Sequence, residues 1–265
     1  MAEPSRRTLF KQLLAAACAG GVAAAADPPA HELPKDWMGK ETIGLLMYPG
    51  FTALDLFGPH HLFISMAGAK VLLVAKDDRP VETDSKVKIH PTATFANCPE
   101  KLSVLFVPGG MDGTLAAAKD EATRAFVADR GAKADWITSV CTGSLVLGAA
   151  GLLRGYQATS HWMVRDELAL FGAKPVNKRV VIDRNRMTGA GVTSGLDFGL
   201  TLLKDLRGID YAQGVQVFSE YDPAPPLDAG SPEKCPPAMV KMLREMHQPF
   251  NAAVRRLAEE TQPAK

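Results

Sequence analysis

Cys141 is the strongest candidate for a reactive side chain in this sequence, because of the residues around it. Residues 136–140 read Trp-Ile-Thr-Ser-Val, a β-branched apolar run typical of a buried strand. Gly143 and Ser144 follow and open an apolar helical stretch to Leu153. We therefore predict a nucleophile elbow, with the cysteine on a sharp turn between a core strand and a core helix. The helix dipole would lower the pKa of the thiol. The alternative is a small cysteine that only fills space in the core.

A cysteine nucleophile needs a proton partner, and Asp55 is the best candidate. It lies in the segment Leu54-Asp-Leu-Phe-Gly-Pro. We predict a loop over residues 51–55, which ends at Asp55, and a helix over residues 59–67 that begins near Pro59. Burial between leucines would raise the pKa of this carboxyl and make it a useful proton donor. The alternative is that Asp55 caps the helix.

Four further residues could support the same chemistry. Thr142 could hydrogen-bond Asp55 or a reacting atom, or could simply begin the helix. His161 is a second candidate base, although a lone histidine beside a tryptophan favours a structural role. Gly109 and Gly110 could offer N–H groups to developing negative charge, but a glycine pair also suits an ordinary turn.

Charge and residue spacing argue against a nucleic-acid-binding protein and against a metal site. The chain has 265 residues, of which 46% are hydrophobic, and a net charge of +1, which gives no electrostatic case for binding nucleic acid. His60 and His61 are adjacent and would point in different directions, and no cysteine or histidine spacing is typical of a metal site. We expect a small-molecule substrate, no metal and no cofactor.

The elements predict an α/β fold with a mostly parallel sheet. Apolar strands are expected at 42–48, 70–75, 103–107 and 136–140, with a hairpin around Asn185, and helical segments alternate with them. The loops at the carboxyl ends of such strands form the ligand site. Four loops should therefore converge, and they are residues 49–58, 108–113, 140–144 and 189–193.

The N-terminus is typical of a bacterial export signal. Arg6 and Arg7 precede Leu-Phe-Lys and then an alanine-rich run to Ala26, which indicates the twin-arginine route to the periplasm. A basic, alanine-rich transit segment is the alternative, and the protein would be cytoplasmic if the signal does not function. The apolar run is too short for a stable membrane anchor. We assign 1–26 to the signal, 27–41 to a linker and 42–260 to one domain. Removal of the signal leaves Cys98, Cys141 and Cys235, and the sequence does not decide whether Cys98 and Cys235 pair.

Several motifs resemble the PfpI-like superfamily. They are Ile43-Gly-Leu-Leu-Met-Tyr-Pro-Gly, Leu54-Asp-Leu-Phe-Gly-Pro, Val107-Pro-Gly-Gly and Thr138-Ser-Val-Cys-Thr-Gly-Ser. Within that group, Ala158-Thr-Ser-His-Trp, Met187-Thr-Gly-Ala-Gly-Val-Thr-Ser and the segment 220–232 resemble the isocyanide hydratases. The resemblance covers roughly 42–260. It implies a class I glutamine amidotransferase-like fold, which is a flavodoxin-like three-layer sandwich.

The resemblance also implies roles for individual residues. Cys141 would be the nucleophile, Asp55 its acidic partner and Thr142 a supporting hydrogen-bonder, in a homodimer. The 189–192 loop, with Gly191 and Val192, would line the pocket beside Gly109 and Gly110. Two residues depart from the family pattern, since Phe57 replaces a threonine and Ala190 replaces a glycine. If the loop around Asp55 is extended, Phe57 points to the same side as Asp55 and narrows the pocket.

The expected activity is the hydration of isocyanides to N-substituted formamides through a cysteine thioimidate. One alternative is a glyoxalase-like carbonyl hydratase of the same fold. Another is a non-enzymatic periplasmic thiol or stress sensor. AraC-type regulators carry a similar domain, but they add a helix-turn-helix region for which we see no sequence here.

Overall fold

A computed structural model describes Pro34 and residues 37–261 of the chain. The predicted export signal and most of the predicted linker lie outside the described residues.

Short apolar segments form the strands of the fold. Their bounds are β1 Thr42–Leu46, β2 Lys70–Ala75, β3 Val81–Glu82, β4 Lys88–Ile89, β5 Ala93–Thr94, β6 Val104–Val107, β7 Trp136–Val140, β8 Gln157–Ala158, β9 Lys174–Pro175, β10 Val180–Asp183 and β11 Arg186–Gly189. Seven of them form the central sheet in the order β10-β11-β7-β6-β1-β2-β5. β10 and β11 pair antiparallel and the other neighbours pair parallel. The predicted mostly parallel sheet is therefore confirmed.

Helices cover both faces of this sheet. Their bounds are α1 Ala53–Phe63, α2 Asp112–Lys119, α3 Glu121–Lys133, α4 Gly143–Ala149, α5 Ser194–Arg207, α6 Ile209–Phe218, α7 Pro237–Met246 and α8 Gln248–Thr261, with a 3₁₀ helix at Arg165–Phe171. α1, α5 and α6 pack together in one layer, and α2, α3, α4, α8 and the 3₁₀ helix pack together in another. The architecture is the expected three-layer sandwich, with core strands such as β6 buried at every residue.

The helix after β1 differs from the prediction. α1 begins at Ala53, so Asp55 lies in its first turn and Pro59 lies inside it. A proline inside a helix removes one backbone hydrogen bond. The ring of Pro59 packs against Gly195 of α5. The two residues are so close that a β-carbon on Gly195 would lie 3.1 Å from Pro59 Cδ. This contact helps to compensate for the lost bond, which a sequence pattern does not reveal.

Residues just before β1 are tied to the body of the domain. The ring of Trp37 packs edge-on against Tyr211 with 5.0 Å between centroids. Arg207, whose side chain is 3% exposed, binds both carboxylate oxygens of Glu41 and the carbonyl of Trp37. We call these four residues the N-terminal clasp. In the part of the chain that is described, no helix is long and apolar enough to cross a membrane.

Candidate active site

The backbone at Cys141 has the geometry of a nucleophile elbow. Its φ of 58° lies in the left-handed region, which is unfavourable for a residue other than glycine. The N–H of Cys141 donates to the carbonyls of Gly189 (3.1 Å) and Ala190 (2.7 Å). Its carbonyl accepts hydrogen bonds from the hydroxyls of Ser160 (3.0 Å) and Ser144 (3.2 Å). These four bonds hold the strained turn in place, so the predicted elbow is confirmed.

Asp55 reaches the same point from α1. Its side chain is completely buried, and Oδ2 accepts a hydrogen bond from the N–H of Gly109 at 2.9 Å. Oδ1 is buried without a hydrogen-bond partner among the described residues. The N-cap position belongs to Thr52, so Asp55 does not cap the helix. Burial raises the pKa of Asp55 to about 7, against the opposing effects of the nearby Cys141 thiol and the Gly109 N–H.

The Cys141 thiol differs from the expected low-pKa group. It is 5% exposed. Burial raises its pKa well above the ordinary value, and the nearby Asp55 charge adds to the rise, while the N–H and hydroxyl of Thr142 oppose it. Burial thus opposes the lowering of the thiol pKa that we expected from the helix end, and it favours the protonated thiol. The neighbouring Asp55 carboxyl is placed to accept that proton.

Thr142 links the thiol to a chain of buried hydroxyl groups. Its Oγ1 accepts a hydrogen bond from the N–H of Gly110 at 3.0 Å and lies 2.8 Å from Oγ1 of Thr114. Thr114 Oγ1 lies 3.1 Å from the Tyr48 hydroxyl, which donates to the carbonyl of Pro108 at 2.6 Å. Sequence reasoning missed Tyr48 and Thr114. The position of Tyr48 beside the first strand-end loop was a usable signal, but no local pattern marks Thr114.

Gly109 and Gly110 hold the site rather than offering free donors. Their N–H groups already bind Asp55 Oδ2 and Thr142 Oγ1. A β-carbon on Gly109 would lie 2.6 Å from Asp55 Oδ2 and 2.7 Å from Thr142 N. The expected role of this pair as donors to negative charge on a ligand is therefore corrected, because both groups are occupied.

The fourth loop brings Gly191 beside His161. A β-carbon on Gly191 would lie 3.3 Å from Cδ2 of His161. Burial and the neighbouring His247 lower the pKa of His161 to about 4, so its ring is neutral near pH 7. Among the described residues, no hydrogen bond joins His161 to Cys141. Val192 is half-buried and packs on the core. All four predicted loops thus meet at the elbow, with His161 at the edge of the site.

Phe57 does not face the same side as Asp55. The extended loop assumed for this argument is instead the first half of α1. Residues two apart on a helix are rotated by about 200° from each other. Phe57 is half-buried and packs edge-on against His60, with 5.8 Å between ring centroids. The predicted alignment of Phe57 with Asp55 was therefore wrong.

Among Pro34 and residues 37–261, no group of three or more histidine, cysteine, aspartate or glutamate residues is placed to hold a metal ion. Cys98, Cys141 and Cys235 are all free thiols.

Comparisons with known proteins agree with this geometry. The model of the DJ-1/PfpI family matches residues 41–205. An isonitrile hydratase of Pseudomonas putida is 48% identical over 207 residues, which cover 78% of this chain and 90% of that protein. The crystal structure of a ThiJ/PfpI family protein from Pseudomonas syringae is 55% identical with a TM-score of 0.84, covering 86% of this chain and 98% of that one. A glutathione-independent glyoxalase DJ-1 of Schizosaccharomyces pombe is 26% identical over 50% of this chain and 73% of that protein.

Proposed function

The chain belongs to the DJ-1/PfpI family, and we propose that it is an isocyanide hydratase, which converts isocyanides (isonitriles) into N-substituted formamides. The observation that carries the proposal is the buried pair of Cys141 and Asp55 at the elbow. The similarity to the Pseudomonas putida isonitrile hydratase supports the choice of substrate class. The chemistry needs a nucleophile and one proton carrier, and both are present.

In the first half of the reaction, Asp55 takes the proton of the Cys141 thiol as sulfur attacks the terminal carbon of the isocyanide. A carbon–sulfur bond forms, and the electron pair left on that carbon takes the proton back from Asp55. The product is a thioimidate, R–N=CH–S–Cys141. A carboxyl with a pKa of about 7 can both accept and return a proton near neutral pH.

In the second half, the Asp55 carboxylate removes a proton from water as the water oxygen bonds to the thioimidate carbon. That proton passes to nitrogen and gives a tetrahedral intermediate. The new hydroxyl then loses its proton through Asp55 to sulfur, the carbon–sulfur bond breaks, and the formamide leaves. One water is consumed and the thiol is regenerated.

The low exposure of Cys141 fits this substrate class. Cys141 is only 5% exposed, which leaves little open space around the residue and favours a slender reacting group. The isocyanide carbon is the tip of a linear C–N–C unit and carries no substituent of its own.

A direct comparison of substrates tests the proposal. Steady-state turnover of an aromatic isocyanide should exceed turnover of methylglyoxal. Preference for methylglyoxal would favour the glyoxalase-like alternative, and inactivity on both substrates would favour a thiol sensor.

We further propose that the protein is a homodimer. Its described surface leaves large apolar side chains uncovered, including Val217 (78% exposed), Leu227 (76%) and Met246 (64%). α7 has no buried residue in the single chain. Light scattering on the purified protein should give twice the chain mass, and a monomer at micromolar concentration would overturn this.

We also propose export to the periplasm by the twin-arginine route, on the basis of Arg6, Arg7 and the run that follows. Replacing both arginines by lysine should retain the protein in the cytoplasm. Unchanged periplasmic fractionation would refute the route.

A further inference from the structure

The Tyr48–Thr114–Thr142 chain of hydroxyl groups is not used by the reaction steps above. All three side chains are buried, with exposures of 3%, 0% and 0%. Their oxygen atoms lie 3.1 Å and 2.8 Å apart. Thr142 directly follows Cys141 in the chain, and its N–H and hydroxyl lower the pKa of the Cys141 thiol. A buried chain of this kind has a direction, because each hydroxyl has only one proton to donate.

The direction is set at the Tyr48 end. Tyr48 gives its proton to the carbonyl of Pro108, at the short distance of 2.6 Å. Tyr48 stays neutral, since burial raises its pKa well above the ordinary value. It can therefore only accept from Thr114, and Thr114 in turn accepts from Thr142. While the thiol keeps its proton, the hydroxyl of Thr142 points away from sulfur.

We propose that Thr114 and Tyr48 are positioning residues that control how strongly Thr142 stabilises the Cys141 thiolate, an inference that builds on the proposed role of Cys141 as nucleophile. When the thiolate forms, the hydroxyl of Thr142 turns to sulfur. The hydroxyl of Thr114 then donates its hydrogen bond to Thr142 Oγ1, and its hydrogen bond to Tyr48 is lost. No proton changes residue in this step, because only the O–H bonds rotate.

The two ends of the chain should then have opposite effects. In the thiolate state, Thr142 accepts from both Gly110 N–H and Thr114 O–H, which polarises its own O–H toward sulfur. Loss of the Thr114 hydroxyl weakens that donor. Loss of the Tyr48 hydroxyl removes the competing acceptor and leaves the chain already directed at sulfur.

Thiolate formation can be measured without any isocyanide. The experiment follows alkylation of Cys141 by iodoacetamide against pH, with peptide mass spectrometry to separate Cys141 from Cys98 and Cys235. Thr114→Val should raise the pH needed for a fixed rate by about one unit. Thr114→Ser, which keeps the hydroxyl, should restore the wild-type profile, and Tyr48→Phe should lower the required pH.

The other ionisable groups that face this site are the same in all variants. Among the described residues they are Asp55 from α1, His161 at the edge of the site and, at longer range, Asp84 between β3 and β4, which acts on both Asp55 and Tyr48. The orphaned carbonyl of Pro108 in Tyr48→Phe is present in both thiol states and cancels from the comparison.

Shifts of the same sign in Thr114→Val and Tyr48→Phe, or no shift in either, would overturn the proposal. If Thr114→Val does not fold, the sign of the Tyr48→Phe shift decides alone. With an isocyanide, Thr114→Val should also lower kcat about tenfold at unchanged KM. Shifts in alkylation without any isocyanide turnover would refute the proposed function but leave the hydroxyl chain standing.

Discussion

The thiol of Cys141 and the carboxyl of Asp55 are both buried and each influences the pKa of the other, and in the proposed reaction they share one proton. Cys141→Ala should abolish turnover and leave the fold intact, since alanine fits the same space. Circular dichroism and intact mass after incubation with substrate would check this, with an adduct expected on the wild type only. Wild-type activity in the variant would contradict the mechanism.

Asp55→Asn should lower kcat by about 10²–10⁴-fold, the usual contribution of general acid–base catalysis. Asparagine keeps the shape of the side chain and can still accept from Gly109, but it cannot carry the thiol proton. A loss below about tenfold would reduce Asp55 to a structural role. Asp112→Asn, at an exposed acid in the first turn of α2, is the matched control.

The same substitution should change how stability depends on pH. The pKa of Asp55 rises on folding from 3.8 to about 7, so the unfolded chain loses this proton first as pH increases. The free energy of unfolding should therefore fall between pH 4 and 7, by up to about 4 kcal/mol for this group. Asp55→Asn should remove that fall, so the variant gains stability over the wild type as pH rises. Urea unfolding at pH 4, 5.5 and 7 measures the free energy of unfolding of both proteins. The same dependence of that free energy on pH in the wild type and the variant would contradict the prediction.

At the scale of elements, the close approach of β6, its following loop and α4 places the elbow. A β-carbon on Gly143 would lie 2.2 Å from the carbonyl oxygen of Val107 and 2.6 Å from that of Pro108. Gly143→Ala must push these elements apart and should cost more than about 2 kcal/mol of unfolding free energy, with loss of activity. Gly214→Ala in α6 is the control, because its β-carbon would meet only Trp37 at 3.8 Å. Equal thermal midpoints for the two variants would contradict the prediction.

The sequence predicted those elements whose pattern is local. The apolar runs of β1, β2, β6 and β7, and the small residues after Cys141, were sufficient to predict a parallel sheet and an elbow. The start of α1 was not predictable in this way, because Pro59 lies inside the helix and packs against Gly195 of α5, a contact between distant segments. The error in α1 also placed Phe57 on the wrong side.

In the candidate site, too, the features with a local sequence pattern were predicted and those that depend on distant contacts were not. Cys141, Asp55 and Thr142 were identified from the chain alone, and the structure brings them together. The raised pKa of the thiol and the bonds that occupy Gly109 and Gly110 depend on burial and on contacts between distant loops. Thr114 had no local signal for the same reason, since its partners are 66 and 28 positions away in the chain.

At the scale of the whole molecule, the N-terminal clasp joins the start of the domain to the end of α5. Glu41→Gln should cost about 3 kcal/mol of unfolding free energy, because it leaves the buried Arg207 guanidinium without its charge partner. Urea unfolding measures this cost. Lys101→Gln is the control, since its ion pair with Asp135 is largely exposed. Similar losses in the two variants would contradict the prediction.

Because of the N-terminal clasp, the range that identifies the family differs from the range that forms the complete fold. The match that shows family membership spans 41–205, yet Arg207 and Tyr211 lie beyond its end and Trp37 before its start. A chain trimmed to the matched region would keep the Cys141 elbow and Asp55 but lose the parts that close the fold around Glu41. The smallest stretch by which a relative can be recognised is thus shorter than the smallest stretch that should fold well, and expression of this protein should begin before Trp37.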